Sequence, residues 1–525
     1  MSELHQTLSR CDAYPDATSR VEHIETHISH LYLTDSLVYK IKKKVNFEFC
    51  NFTSLDRRRF YCEEEVRLNR RLAPDCYLGV SKIVRQGDRF LIDQPGEICE
   101  YAVRMRRLPQ TKMLTRQLDA AGHRKTLLPK IEKLGRLLAH FHNQAPHLDK
   151  ESHNDQHTLL FYWQQNFDQT RNCPATLIRP ATFNALEQMV MGFIHENSEL
   201  FRQRQKLGYV RDGHGDLHSE HICLTEPMQI FDCIEFNPDL RYGDILNDFA
   251  FLYMDLEFRG RPDLAQRLWQ SYRNNIETGP QAQSLLRFYC LYRAWVRAKV
   301  HFFQINATAE AAEHQRQARE YFRLAGSYAL PQMLLLCCGL IGSGKTTLAR
   351  DLGRALRAKV ISSDLVRPKK DPLADNAIDG ADEADTAYGR GRYNQKERLA
   401  VYRKMAEQVE SRVAEGRTLI VDATFETQQM RAVFLELARR MKIPYAYIEA
   451  ACDPARIRQR LLQRPPDPRK SGGSEARLCH FEQQRQRFEP LLSEHCRIRV
   501  DTGQPREYNV DFLLDKLLEA RGTLS

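Results

Sequence analysis

From Met333 to Cys338 the chain is apolar without interruption, MLLLCC, and such a run predicts a strand buried on both faces. The glycine-rich stretch GLIGSGKTT follows at once, and Thr347 to Ala358 returns apolar positions at helical spacing. Two further short strands are expected at Lys359 to Arg367, KVISSDLVR, and at Thr418 to Phe425, TLIVDATF; the apolar runs end on the carboxylates Asp364 and Asp422. Nearer the start, Ser36 to Val45, SLVYKIKKKV, alternates like a half-buried strand. A helix is expected from about Asp56 through CEEEVRLNRRL, with Glu65 on the same face as Leu68 and Leu72. Gln283 to Leu324 sets Leu286, Phe288, Leu291, Trp295 and Val296 at helical spacing and reads as packed helices that close a first domain. SYALPQ, Ser327 to Gln332, then reads as a linker, dividing the chain into domains at 1–326 and 333–525. Asp371 to Asn394 is acidic, glycine-containing and aperiodic, which suits an exposed loop or a substrate-side insertion.

Composition adds little that is specific. A length of 525 residues, 42% hydrophobic and 28% charged, accommodates two or three domains with their own cores. No run approaches the roughly 18 to 20 apolar residues that span a bilayer, and no basic segment followed by an apolar one opens the chain. The expectation is a cytoplasmic protein without a membrane partner. The 14 cysteines form no C-x-x-C pair and suit reduced, buried thiols. A net charge of +10 admits nucleotides, phosphorylated metabolites or nucleic acid as partners, whereas 68 acidic residues against 78 basic ones argue against a general nucleic-acid coat.

The chemistry begins at the glycine-rich stretch. Gly339 to Thr346 has the spacing G-x-x-x-x-G-K-[ST] of a phosphate-binding loop, between a predicted strand and a predicted helix. Backbone N–H groups through Gly339, Gly342, Ser343, Gly344 and Thr347 can wrap a diphosphate; Lys345 reaches the terminal phosphates and Thr346 offers a hydroxyl to Mg²⁺. ATP and Mg²⁺ are therefore the expected cofactors. Asp422 can reach the Mg²⁺ shell, and Asp364 faces the crevice where open parallel sheets bind ligands, with Arg367 able to clamp an acceptor phosphate or carboxylate. In DPARIRQRLLQR, Arg460 and Arg464 stand at i and i+4. Arg464 is the first choice for stabilising transferred charge, Arg460 the second, and SGGS with the prolines before it suits a lid that closes over ATP. The S-D-x-x-R arrangement resembles the P-loop kinase group of polynucleotide 5'-kinases and zeta toxins. That resemblance implies that Asp364 is the base and Arg367 a substrate contact.

A second constellation lies upstream, in YVRDGHGDLHSEHICL, Tyr209 to Leu224, and IFDCIEF, Ile230 to Phe236. The residues HGDLH resemble the catalytic loop of the aminoglycoside phosphotransferase family, which has the protein kinase fold. By that resemblance Asp216 accepts the acceptor's proton, Asp232 holds Mg²⁺, Asp248 is a later structural aspartate and Lys40 is the phosphate-binding lysine. Glu65 is its expected partner, with Glu64 the neighbouring alternative, and Glu100 to Pro109 falls where a hinge receives adenine. His221 departs from the pattern, since the family has asparagine there as a second metal ligand. Imidazole suits a softer ion such as Mn²⁺, so this half works with one metal, with a softer one, or without activity. His214, His218 and His221 also raise a zinc site.

Together these readings predict an α+β protein kinase-like domain followed by an α/β doubly wound parallel-sheet P-loop NTPase domain, resembling bacterial fusions of the two. The expected function is bifunctional ATP-dependent phosphate transfer to a small-molecule or 5'-hydroxyl nucleic-acid acceptor. Two other readings use the same residues. Either only the P-loop half is an active kinase and the first domain is a ligand-binding regulator, or the chain is a non-enzymatic nucleotide sensor.

Overall fold

The computed structural model describes residues 3–47, 50–120, 124–148, 156–306, 310–366, 395–463, 474–491 and 496–521. They form two compact units, Met1–Gln165 with Gly192–Arg293, and Asn166–Met191 with Ala294–Ser525.

The first unit is built on an antiparallel sheet in the order Glu22–Glu25, Ser29–Leu33, Leu37–Lys42, Glu97–Arg106, Tyr77–Gln86, Arg89–Ile92. The alternation read in SLVYKIKKKV is that of an interior strand. Tyr39 and Ile41 enter a core with Tyr32, Ile83 and Ala102 on one face. Val38 packs with Cys62, Val66 and Val103 on the other. Because side chains alternate in a strand, Lys40 and Lys42 share the face of Val38 and point toward the helix Leu55–Asn69. That helix starts where Ser54 accepts the Arg57 N–H as N-cap and stops before Leu72, which falls in the turn beyond. The expected hinge Glu100 to Pro109 is mostly strand, and only Arg107 to Pro109 leave the sheet. Further along, Val210–Asp212 pairs antiparallel with Tyr242–Asp244, and Ile222–Cys223 with Gln229–Ile230.

The second unit holds a parallel five-stranded sheet in the order Lys359–Ser362, Leu419–Asp422, Leu334–Cys338, Tyr445–Ala451, Arg497–Asp501. The central strand is buried at every residue, as an apolar run without polar alternation requires. The helix after the glycine-rich loop is Lys345–Ala355, not Thr347 to Ala358, because Gly344 in a left-handed conformation already turns the chain into it.

The helices read as closing the first domain are Ala282–Gln304 and Ala311–Ala329. From Ala294 onward they group with the second unit, so the compact units do not divide at the 1–326 and 333–525 boundary expected from the linker. Ala311–Ala329 packs on the terminal helix Arg506–Ala520: Arg323 Nε lies 2.6 Å from Asp511 Oδ1, and Gly326 leaves room for Leu514. Arg179 and Thr182 hold Asp515 on the same helix. Helical periodicity shows that a helix has an apolar face, not which neighbour covers it. The cysteines are all free thiols, and among the described residues no helix is long and apolar enough to cross a membrane.

Candidate functional site

Between Val210–Asp212 and Ile222–Cys223 the loop Gly213 to His221 is held by backbone hydrogen bonds from several sides. Asp248, in the first turn of the helix Ile245–Phe258, accepts the N–H groups of His214 and Gly215, each at 2.8 Å. Its Oδ2 also accepts Nε2 of His142 at 3.1 Å, and His142 Nδ1 accepts the Tyr272 hydroxyl at 2.7 Å. Burial pushes the Asp248 carboxyl up, but the hydrogen bond and charge of His142, with the His214 contacts, outweigh it and hold it well below the usual carboxylate range. Arg71 donates to the carbonyls of Asp212 and Gly213 at 3.0 and 2.8 Å, and Arg293 to that of Gly215 at 3.0 Å. Gly215 has φ +85°, and a Cβ there would meet Ile234 Cδ1 at 3.0 Å, so the loop needs glycine at that corner. His214 is buried, which lowers its imidazole to about 4; it is neutral near pH 7 and donates from Nε2 to the Phe231 carbonyl.

Facing this loop is a buried network of charge. Lys40 Nζ lies 2.8 Å from Glu65 Oε1 and 2.6 Å from Asp232 Oδ1. Burial opposes its charge, but Asp232 and Glu65 overcome that and hold the ammonium well above its ordinary value. The other Glu65 oxygen takes Lys42 Nζ at 2.7 Å, and Lys42 also donates to Glu235; both lysines share one helix carboxylate. Glu64 instead pairs with Arg67 on the outer side at 2.7 Å. Asp232 has φ 63°, a left-handed backbone, and its N–H is held by the Tyr77 hydroxyl at 3.1 Å. The half-buried Asp216 has Oδ2 3.4 Å from His218 Nε2 and 3.5 Å from His221 Nδ1. His221 donates from Nδ1 to the Asp216 carbonyl at 2.9 Å and turns Nε2 to Asp232 Oδ2 at 3.4 Å. Lys40, Glu65, Asp216, Asp232 and His221 therefore converge. Asp232 offers a hard ion an oxygen, whereas His221 offers nitrogen; the pair does not supply the oxygen set that two Mg²⁺ ions require.

In the second unit the glycine-rich loop wraps from Leu334–Cys338 to Lys345–Ala355 with Gly339, Gly342 and Gly344 at φ 147°, 78° and 90°. A Cβ on Gly342 would come within 3.0 Å of Ile457 Cγ2, so backbone is packed closely against the helix Pro454–Gln463. Ser343 is buried, and its carbonyl accepts the Thr502 hydroxyl at 2.5 Å. Arg460 donates to the Thr502 carbonyl at 2.9 Å, and its Nη1 stands 3.4 Å from where a Cβ on Gly344 would be, which sets it beside the loop. At the strand end Asp422 is buried and accepts Thr346 Oγ1 at 3.3 Å and Ser362 Oγ at 3.0 Å. Burial pushes its carboxyl up, with the Lys345 charge opposing. Thr346, Asp422 and Ser362 present only oxygen, the donor type a hard divalent cation takes, so this half fits Mg²⁺. Asp364 is exposed on the short helix Ser363–Val366, immediately past the strand. Thr347 is exposed in the first turn of its helix. Arg367, Arg464, the segment 371–394 and residues 465–473 of the expected lid lie outside the described residues.

Residues 61–285 match the model of the phosphotransferase enzyme family, and residues 334–491 match that of an AAA domain. The uncharacterized protein Rv2004c of Mycobacterium tuberculosis is 32% identical over 441 residues, covering 82% of this chain and 83% of its own. The uncharacterized protein Mb2027c of Mycobacterium bovis aligns to the same extent, 32% over 441 residues. The chain belongs to this family: it is a fusion of an aminoglycoside phosphotransferase-like kinase domain with a P-loop kinase domain. Solved structures similar to parts of the fusion include a choline/ethanolamine kinase family protein from Mesorhizobium loti, at 12% identity, 62% of this chain, 95% of that chain and TM-score 0.38. Another is the Mycobacterium tuberculosis APS kinase CysC in complex with AMPPNP and APS, at 17% identity, 36% of this chain, 99% of that chain and TM-score 0.27.

Within the fusion, sequence reasoning passed over several residues that complete the two sites. Lys42 and Glu235 extend the ion network, and the alternation in YKIK put Lys42 on the face of Lys40. Ser362, the last residue of its strand, could have been found from its register opposite Asp422. His142 and Tyr77 carry no such signal. Arg431 is buried and donates to the carbonyls of Phe425 and Pro490, both at 2.8 Å. It holds a turn and does not reach toward the glycine-rich loop.

Proposed function

We propose that the fusion is a bifunctional ATP-dependent phosphotransferase, each half passing the γ-phosphate of ATP to a hydroxyl acceptor. The observation that carries this reading is the convergence, in the first half, of a charged lysine held between two carboxylates with a third carboxylate on a rigid loop. Phosphoryl transfer asks for those parts: a cation on the nucleotide phosphates, a metal-binding carboxylate and a base for the hydroxyl. The acceptor oxygen attacks the γ-phosphorus, its proton passes to the Asp216 carboxylate, and the bond from γ-phosphorus to the ADP oxygen breaks. Lys40 neutralises nucleotide phosphate charge, and Glu65 fixes where that ammonium stands. No step here runs through a second Mg²⁺.

In the P-loop half, Thr346 and Asp422 with Ser362 would hold Mg²⁺, which when bound supplies charge neutralisation on the β- and γ-phosphates. The loop N–H groups and Lys345 bind the phosphates, Asp364 takes the acceptor's proton, and Arg460 beside Gly344 faces the developing charge. The acceptor is a small molecule or a 5'-hydroxyl nucleic acid. ATP consumption by the whole chain should rise at least about tenfold when the right alcohol is supplied. It should fall back in Asp216→Asn for one class of acceptor and in Asp364→Asn for another. Turnover that no hydroxyl compound raises would favour nucleotide sensing over transfer.

One observation favours a second reading. With His221 standing where an amide oxygen would complete the metal set, the first half serves as a ligand-binding regulator and only the P-loop half transfers phosphate. Retention of full acceptor-dependent turnover in Asp216→Asn would select that reading.

A further inference from the structure

Asp216, His218 and His221 each turn one ligand atom inward, and these atoms lie within 4.8 Å of one another. Asp216 Oδ2 is the common vertex, 3.4 Å from His218 Nε2 and 3.5 Å from His221 Nδ1. Two ligands at about 2.1 Å from a tetrahedral ion stand about 3.4 Å apart, which these two separations match. The short turn Ser219–His221 sets the two histidines three residues apart, and their rings lie 4.1 Å apart between centroids. His218 is nearly buried and His221 mostly so, with 6% and 14% of their side chains exposed. The backbone carrying them is fixed independently: the Ser219 N–H donates to Asp255 at 3.0 Å, and His221 N–H to the His218 carbonyl at 3.0 Å.

Each imidazole has a carboxylate near its other nitrogen, although Glu220, beside His218, is held by Arg259 at 2.9 Å. Glu220 Oε2 is 4.0 Å from His218 Nδ1, and Asp232 Oδ2 is 3.4 Å from His221 Nε2. Metal-bound histidines characteristically give their other ring N–H to a carboxylate, which fixes the tautomer and raises the basicity of the ligating nitrogen. For His221 this takes the other neutral tautomer: its single proton, now on Nδ1 toward the Asp216 carbonyl, leaves to water while Nε2, 3.4 Å from Asp232 Oδ2, takes one from water.

We infer that Asp216, His218 and His221 form a two-histidine, one-carboxylate site for a late first-row divalent ion of the Co²⁺ and Zn²⁺ class. Imidazole nitrogen favours such ions over Mg²⁺ or Ca²⁺, and three protein ligands leave a position open to water or phosphate. An ion held by Asp216 occupies the oxygen that would take the acceptor's proton. The ion and proton transfer at this carboxylate exclude each other, and the metal acts as an off-switch for the first half.

The off-switch rests on the reading of Asp216 as the base of the first half, whereas the site itself is tested by binding without turnover, so the two can fail separately. The full chain, stripped with a chelator, is titrated with Co²⁺ and followed by visible absorption. The wild type should take up one equivalent with the intensified bands of a four- or five-coordinate ion, lost on adding Zn²⁺ and kept in excess Mg²⁺. His218→Ala and His221→Asn, each checked for an unchanged unfolding midpoint, should each weaken Co²⁺ binding at least about tenfold. Where His218→Ala lowers the midpoint, His218→Gln replaces it. Weak, water-like bands in the wild type would overturn the proposal. So would bands unchanged in both histidine variants, or bands removed instead by His23→Ala, in the separate cluster where His23 Nε2 meets His30 Nδ1 at 3.1 Å.

Discussion

At Lys42 the chain buries an ammonium completely, between Glu65 and Glu235. Burial works against that charge, but Glu235 and Glu65 together overcome it and raise the group above its ordinary value. Removing one partner of such a set leaves uncompensated charge in a low-dielectric interior, so Lys42→Met should cost about 3 to 5 kcal/mol of stability. Urea unfolding measures it, and a loss below about 1 kcal/mol would show that water or rearrangement takes the place of the ammonium. Residue identity was the most legible level of the chain where chemistry repeats a pattern. Lys40, Glu65, Asp216 and Asp232 could be read because their motifs resemble those of the aminoglycoside phosphotransferase family, and the structure brings them together. Glu235 and His142 could not, since the partners stand 193 and 106 residues away and nothing near either one marks it.

Elements were legible in proportion to their burial pattern. The strand Leu334–Cys338, apolar at every position, and the alternating strand Leu37–Lys42 each show their surroundings in their own sequence. The ends were less so: Lys345–Ala355 starts where a left-handed glycine permits, a backbone fact that hydrophobic spacing does not report. The glycine-rich loop makes a sharp prediction. Gly342 has φ +78°, and a Cβ there would meet Ile457 Cγ2 at 3.0 Å, so Gly342→Ala should cost about 1 to 2 kcal/mol in the loop and weaken nucleotide binding to the P-loop half. Binding of a non-hydrolysable ATP analogue at wild-type strength would contradict that.

Lys299, in the helix Ala282–Gln304, gives the pH dependence. Its Nζ donates to the amide oxygens of Asn166 at 2.6 Å and Gln169 at 2.8 Å, and burial lowers it to about 8. Above the unfolded value of about 10.4 both states are neutral there, whereas below about 8 the folded state carries a charge it disfavours. Stability should therefore rise from pH 8 to 10, by up to about 3 kcal/mol relative to Lys299→Met, because the unfolded chain binds the extra proton. Parallel pH profiles of the two unfolding midpoints would contradict this.

At the scale of the molecule, the fusion of two kinase-like domains was legible because each carries a compact motif in its own flanking elements. The assignment of Ala294 to Ala329 was not. The ion pair from Arg323 to Asp511 joins residues 188 apart, and the expected linker Ser327 to Gln332 begins inside the helix Ala311–Ala329, so its start marks no break in the packing. We propose that both halves transfer phosphate. The most direct test is to follow labelled γ-phosphate from ATP into a pool of hydroxyl-bearing metabolites and 5'-hydroxyl oligonucleotides. The whole chain is compared with Asp216→Ala, Lys345→Ala and the double variant. Two labelled products are expected, each lost in one single variant and both in the double. Loss of all labelling in Lys345→Ala, with none lost in Asp216→Ala, would contradict the claim and leave the first half a ligand-binding module.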